Sequence, residues 1–117
     1  MVDDQKRLPA RFYKNQRGRE PVREWLVGLK QDQDRKIIGT DIKTVEFGWP
    51  IGMPTCKPMG GGLWEVRSDL PRNRIGRVLF CEVRGEMVLL HGFIKKTQTT
   101  PKKDLDIARA RQKKVEQ

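Results

Sequence analysis

A chain of 117 residues is long enough for one domain with a single hydrophobic core and short for two. Hydrophobic residues make up 36% and charged residues 34%, and 25 Lys and Arg against 15 Asp and Glu give a formal net charge of +10. This balance favours an anionic partner, for which nucleic acid is the leading candidate and an acidic protein the second. No stretch approaches the roughly 18 apolar residues of a membrane span.

The N-terminal residues and the cysteines both point to a cytoplasmic protein. The segment MVDDQKRLPARF lacks the apolar run of a secretion signal. Cys56 and Cys81 lie far apart without a CxxC pair, and His91 is the single histidine. Because this set supports neither a zinc site nor a disulfide, we expect two reduced thiols, no metal and no cofactor.

The first half of the chain predicts a short strand followed by two helices. ARFYK, residues 10–14, could form the strand, and Pro21 suits the first position of a helix. The apolar residues that follow have the spacing of one helix face: Val22, Trp25, Leu26 and Leu29. A second stripe has the same spacing: Ile37, Ile38, Ile42 and Val45. Gly48 and Pro50 end it, so we expect two amphipathic helices packed side by side.

From Gly60 onward the apolar period changes to that of strands. The glycines at 60–62 lack the Lys-Ser/Thr of a phosphate loop and are expected to form a mobile loop. In the strand that follows, Trp64, Val66 and Ser68 alternate with Glu65, Arg67 and Asp69. PRNR predicts a turn, and IGRVLFCEV and MVLLHGFI are nearly continuous apolar strands joined by an RGE hairpin. These segments predict central strands of an antiparallel sheet.

The C-terminal segment predicts a basic helix. Thr100 is a plausible N-cap before Pro101. A thin stripe at helical spacing could dock the helix on the rest of the protein: Leu105, Ala108, Gln112 and Val115. We therefore expect one α+β domain over residues 1–117, with two N-terminal helices on an antiparallel sheet and a basic helix at the C-terminus.

The side chains that could carry chemistry are cations and aromatic rings on or next to the predicted strands. They are Lys57, Arg67, Arg77, His91, Phe93, Lys95 and Lys96. Arginine can hold a phosphate through two hydrogen bonds, a lysine among other cations can act as a base, and an exposed phenylalanine can stack on a nucleobase. Such a set could cleave RNA without a metal, because a base can activate the ribose 2′-hydroxyl for attack on its own phosphate.

Each candidate also has a purely structural interpretation. Arg67 could be an ion-pair partner of Glu65 and Asp69, which are its neighbours along the same strand face. His91 could be a hydrogen-bonded residue of an apolar strand, and Phe93 could belong to the core. The paired lysines after Phe93 could protect the end of a strand against aggregation, and the basic helix could be no more than a soluble surface.

Four segments together resemble a known family. PVREWL, GLWEVR, IGRVLFCEV and HGFIKKTQTTP stand in the order found in the phage-derived HigB-like branch of the RelE/ParE toxin superfamily. The resemblance extends from about Arg11 to Val115. It implies a RelE-like fold with a twisted antiparallel sheet, and the toxin half of a type II toxin–antitoxin pair.

The resemblance also implies an activity, partners and residue roles. It implies ribosome-dependent mRNA cleavage, neutralised by a HigA-like helix-turn-helix antitoxin. Arg67 and Arg77 match positions that hold phosphate, and Lys57 and Lys95 fall where the superfamily keeps catalytic or substrate-contacting cations. Phe80 departs from the family, because the corresponding strand often ends in a tyrosine whose hydroxyl could serve the reaction.

Two other functions remain open. Some ParE-like relatives inhibit DNA gyrase without cutting RNA, and a basic domain of this size could simply bind nucleic acid. The cationic set on the sheet favours the mRNA endonuclease, because an inhibitor of a protein target does not need a cluster that holds phosphate. Lys96, Phe93 and His91 are then the predicted substrate-binding residues beside the four catalytic cations.

Overall fold

The computed structural model describes residues 5–117, which form five strands and three helices. In chain order these are β1 (Ala10–Phe12), α1 (Pro21–Val27), α2 (Asp32–Gly48), β2 (Cys56–Gly60), β3 (Leu63–Leu70), β4 (Arg74–Val83), β5 (Glu86–Lys95) and α3 (Lys102–Glu116). The predicted α+β class is confirmed, with two helices before the main strands and one after them. No helix within the described range is long and apolar enough to cross a membrane.

The strands form one sheet in the order β1-β5-β4-β3-β2. The three pairings among β2, β3, β4 and β5 are antiparallel, but β1 lies parallel to β5, with Ala10 opposite Met87. The four main strands are thus antiparallel, in agreement with the prediction, and the parallel β1 makes the whole sheet mixed. Parallel neighbours need a long crossover between them. Here the crossover from β1 to β5 consists of α1, α2, β2, β3 and β4.

Two features of the predicted strands differ from the structure. Cys56–Gly60 forms an edge strand that the sequence did not predict, because its Pro58 and terminal glycine weaken the strand signal. The glycines at 60–62 were expected to form a mobile loop, but they make the turn of the β2–β3 hairpin, and each has a positive φ. Their carbonyl groups accept hydrogen bonds from α3, from Arg109 to Gly60 and from Gln112 to Gly61.

The helices α1 and α2 cover one face of the sheet. Helix α1 begins at Pro21, as predicted, and lies on β5, whereas α2 lies mainly on β3. The two helices therefore contact the sheet more than each other, which corrects the expected side-by-side packing. The apolar stripes predicted from sequence do face the core, where Val22, Ile38 and Val45 are buried.

Gly92 allows the indole ring of Trp25 to lie directly on β5. A Cβ at this position would stand 2.5 Å from two carbons of the ring. We expect Gly92→Ala to lower the free energy of unfolding by about 1–3 kcal/mol, the usual cost of overpacking a core. Gly39→Ala is the matched control, because a Cβ there meets nothing within 4 Å and alanine favours α2. Urea unfolding of both variants checks the expectation, and equal effects would contradict it.

Helix α3 covers part of the opposite face. Ala108 is buried against a second core cluster that includes Leu79, Leu90 and Phe93. Each cysteine lies on a different face, Cys56 in the first cluster and Cys81 in the second, and both are free thiols, as predicted. Burial raises the pKa of both thiols to about 11, so they remain protonated at neutral pH.

Candidate functional site

Four neighbouring strands each place a cation on the sheet face that α3 partly covers. The register puts Lys57 opposite Glu65, Arg67 opposite Arg77, and Arg77 opposite Phe93. Lys95 follows Phe93 on the same face of β5, two residues further on. These four cations therefore lie on a single face, in a band that crosses the sheet from β2 to β5.

Residues 96–100, which we call the strap, cross this band between β5 and α3. Arg77 lies beneath the strap with its side chain fully buried. Its guanidinium donates hydrogen bonds to the backbone carbonyls of Thr97 and Thr99, the latter at 2.9 Å. Burial lowers the pKa of Arg77, and the carboxylate of Glu65 acts in the opposite direction. A phosphate could reach Arg77 only if the strap moved away.

Glu65 is the acidic centre of the band. Its side chain is only 1% exposed, and its Oε1 lies 3.7 Å from Nε of Arg67 and 4.0 Å from Nε of Arg77. The hydroxyl of Thr100 donates a hydrogen bond to the other carboxylate oxygen at 2.5 Å. Thr100 was predicted to cap α3, but its hydroxyl contacts the sheet, and the N-cap residue is Pro101. The strap is thus bonded to both buried charges.

Arg67 stands at the boundary between this network and solvent. Its side chain is 15% exposed. One guanidinium nitrogen, Nη2, donates to the backbone carbonyl of Gln98 at 3.1 Å and to the side-chain oxygen of the same residue at 3.3 Å. The structure therefore shows both the contact with Glu65 that a structural role requires and an accessible edge that could meet a phosphate.

His91 and Phe93 contribute to the packing of α3 and the strap. Nε2 of His91 lies 2.7 Å from Oδ1 of Asp104 in the first turn of α3. The ring of His91 stacks on that of Phe93, and the guanidinium of Arg77 lies 5.8 Å from the centre of the Phe93 ring. Phe93 is buried in the second core cluster. This arrangement favours the structural interpretation of both residues, because the ring of Phe93 is buried and the ring of His91 is held by Asp104.

The three lysines lie around the edge of the buried network. Lys95 and Lys96 are exposed where β5 ends, and Lys57 is half-buried on β2. None of the three forms an ion pair within residues 5–117. They remain available to an anionic partner. In the same part of the chain, no three His, Cys, Asp or Glu side chains converge closely enough to hold a metal ion.

Phe80, which departs from the resembled family, does not belong to this face. Its ring is fully buried on the side of the sheet covered by α2, 5.7 Å from the ring centre of Trp49. A tyrosine hydroxyl at this position on β4 would therefore point away from the cationic band. The departure removes no group from the candidate site.

Several residues that shape the site were not predicted from sequence. The carbonyls of Thr97 and Thr99 and the side chains of Thr100 and Asp104 hold the strap and the start of α3. Because every residue has a backbone carbonyl, the sequence does not show which carbonyls accept hydrogen bonds. The run of threonines between two lysines and a proline was the visible signal, and it could have indicated a loop that bonds back to the sheet.

A small α+β domain with a cationic sheet face, partly covered by a bonded loop, is the class of protein that these observations define. A comparison with known families agrees with this. The family described as Phage derived protein Gp49-like (DUF891) matches residues 24–113, which is most of the chain. The chain belongs to this Gp49-like family of phage-derived proteins, a RelE/toxin-like family. No curated protein matches the chain.

Proposed function

We propose that this protein is the toxin of a type II toxin–antitoxin system and that it cleaves mRNA on the ribosome, as a HigB-like toxin would. The observation that carries the proposal is the band of Lys57, Arg67, Arg77 and Lys95, one cation on each of four adjacent strands. Membership of a RelE/toxin-like family supports it. A net charge of +10 supports an anionic substrate as well.

The proposed reaction is cleavage assisted by the ribose 2′-hydroxyl. A base removes the proton from the hydroxyl, the 2′-oxygen bonds to phosphorus, and the bond from phosphorus to the 5′-oxygen breaks as that oxygen gains a proton. Arg67 would stabilise the charge that develops on the phosphate. Lys57 and Lys95 flank Arg67 from two sides of the band and are the candidates for proton transfer. Lys96 would hold the neighbouring phosphate.

We assign Arg77 a different part in this proposal. Because it is fully buried and bonded to the strap carbonyls, it would position the strap beside Arg67 and would not touch the substrate. Phe93 and His91 would support the same segment from below. The expected antitoxin is a HigA-like helix-turn-helix protein with an acidic segment that covers the exposed lysines and Arg67.

The test is induction of the protein in growing cells without a partner gene. We expect translation to stop first, with mRNA fragments whose new 5′ ends lie within translated regions, because the ribosome would place the 2′-hydroxyl in line with its phosphate. An early change in DNA supercoiling with intact mRNA would instead support the gyrase inhibitor. Normal growth at a high level of folded protein would contradict any toxin role.

Binding to RNA or to ribosomes should weaken steeply as salt rises. A protein that contacts several phosphates loses orders of magnitude of affinity between about 50 and 200 mM salt, because the release of counterions on binding is less favourable at high salt. Replacing Lys57, Lys95 or Lys96 by glutamine should reduce the slope of log affinity against log salt by about one for each phosphate that the variant can no longer bind. A salt titration measured by fluorescence anisotropy checks this, and a flat response in the unmodified protein would contradict it.

A further inference from the structure

A cleft of about 460 Å³ opens beside Arg67, where β3 extends beyond the end of its edge partner β2. This volume lies in the range of sites that hold small ligands. Its walls come from α2, from the loop before β2, and from β3 and β4. The lining that matters for recognition is three apolar side chains, one cation and two carboxylates: Ile37, Met53, Ile75, Arg67, Asp41 and Asp69.

The two carboxylates of this cleft have no partner in the part of the chain that the structure describes. Asp41 and Asp69 form neither an ion pair nor a side-chain hydrogen bond within residues 5–117. By contrast, Asp32, Asp34 and Asp106 each bind a nearby cation. In a protein with 25 Lys and Arg, unpaired carboxylates next to an arginine leave two strong acceptors free for a ligand.

Met53 gives the cleft an apolar rim, and its side chain is not part of either core cluster. Its side chain is 59% exposed, which makes it one of the most exposed large hydrophobic residues in the described range. A thioether is flexible and makes favourable contacts with aromatic rings. Together with Ile37 and Ile75, it offers a flat ring an apolar surface within reach of both carboxylates and the Arg67 guanidinium.

We propose that this cleft binds an RNA base that carries an exocyclic amino group, guanine most strongly, while Arg67 holds the adjoining phosphate; the inference rests on the proposed function. A nucleotide matches all three parts of the lining, since it joins a flat ring with N–H donors to a phosphate. Guanine presents two adjacent N–H groups to one carboxylate, and adenine and cytosine each present an amino group. Uracil presents carbonyl oxygens on both sides of its single N–H, and a carboxylate repels them.

A protein partner fits the cleft less well. The side chain that two carboxylates would attract is a lysine or an arginine, but such a cation would also face Arg67 at the same wall. An acidic side chain would be attracted to Arg67 and repelled by Asp41 and Asp69. A nucleotide avoids both conflicts, because its donors and its negative charge lie at opposite ends of one molecule.

The test measures base preference without requiring cleavage. The probes are short, single-stranded, 2′-O-methylated oligouridines in which one central base is U, A, C or G, and they contain no free hydroxyl to attack the phosphate. The unmodified protein should bind the strand with guanine about 5- to 150-fold more tightly than the strand with uracil only, which is the range expected for one bidentate base contact. Fluorescence anisotropy at fixed salt gives the ratio of the two affinities.

Asp41→Asn and Asp69→Asn are the informative variants, and Asp106→Asn is their control. All three remove one negative charge, and Asp106 lies on α3 paired with Lys102, away from the cleft. All three should therefore bind the probe that contains only uracil somewhat more tightly. The guanine-to-uracil ratio should fall severalfold only in the cleft variants, because an amide can donate a hydrogen bond to a uracil carbonyl.

Each other outcome has a defined meaning. Equal affinity for all four probes, or a ratio that neither cleft variant changes, would overturn the base-binding cleft and leave the proposed function intact. Loss of antitoxin binding in the cleft variants with an unchanged ratio would assign the cleft to the protein partner and overturn the inference. Failure to bind any strand at low salt would overturn the inference, whereas the proposed function is tested separately by the induction experiment in growing cells.

Discussion

Replacing Arg67 by alanine is expected to reduce mRNA cleavage on translating ribosomes by about 10²–10³-fold, the cost of removing a preorganised group that stabilises transition-state charge. Arg67→Lys should restore binding better than cleavage. Lysine retains the positive charge but cannot form two parallel hydrogen bonds with a phosphate. The contacts of Arg67 with Gln98 and Glu65 hold its guanidinium in place before any substrate arrives.

The control for this experiment is Arg11→Ala. Arg11 forms an exposed ion pair with Glu86 at 2.8 Å, outside the cationic band. Its loss should lower the free energy of unfolding by about 0–1 kcal/mol and leave cleavage unchanged. Thermal melting of each variant shows whether it folds. Full cleavage by a folded Arg67→Ala protein would assign Arg67 to the structural network with Glu65 and remove it from the reaction.

The largest expected effect on stability follows from Glu65→Gln. Glutamine keeps the shape of the side chain and can still accept the hydrogen bond from Thr100, but it removes the carboxylate nearest to the fully buried Arg77 and leaves only the weaker influence of Asp104. Breaking a buried pair in this way costs about 3–5 kcal/mol, a large part of the stability of an ordinary domain. Urea unfolding measures the change in the free energy of unfolding.

Two further variants show whether the buried charge is the cause. Glu82→Gln removes an exposed carboxylate from β4 and should change stability by less than about 0.5 kcal/mol. Combining Glu65→Gln with Arg77→Met removes both buried charges, so the double variant should be more stable than Glu65→Gln alone. If Glu65→Gln costs no more than Glu82→Gln, the two buried groups do not stabilise each other.

The sequence predicted the elements whose signals are periodic. The helical stripe after Pro21, the alternation around Arg67 and the apolar strands on either side of the RGE turn all correspond to observed elements. Their spacing reflects burial on one face, which is a local property of the chain. Alternation along β5 puts Phe93 and Lys95 on one face of that strand, and only the register between strands adds Arg67 to the same face.

The extent to which each side chain is buried could not be predicted in the same way. Arg77 and Arg67 occupy equivalent places in adjacent strands, yet one is fully buried and the other is partly exposed. The difference arises from the strap, whose carbonyls lie over Arg77 and whose position depends on Glu65 and on the docking of α3. Such contacts join segments that are distant in sequence, and no local pattern encodes them.

The parallel pairing of β1 with β5 affects when the candidate site can be completed during synthesis of the chain. Ala10 emerges from the ribosome early, but its partner Met87 is made much later, and the strap and α3 follow after that. A chain from which β5, the strap and α3 have not yet emerged therefore lacks an edge strand and the segment beside Arg67. Under the proposed function, this order of synthesis would protect the translating ribosome from the chain that it is making.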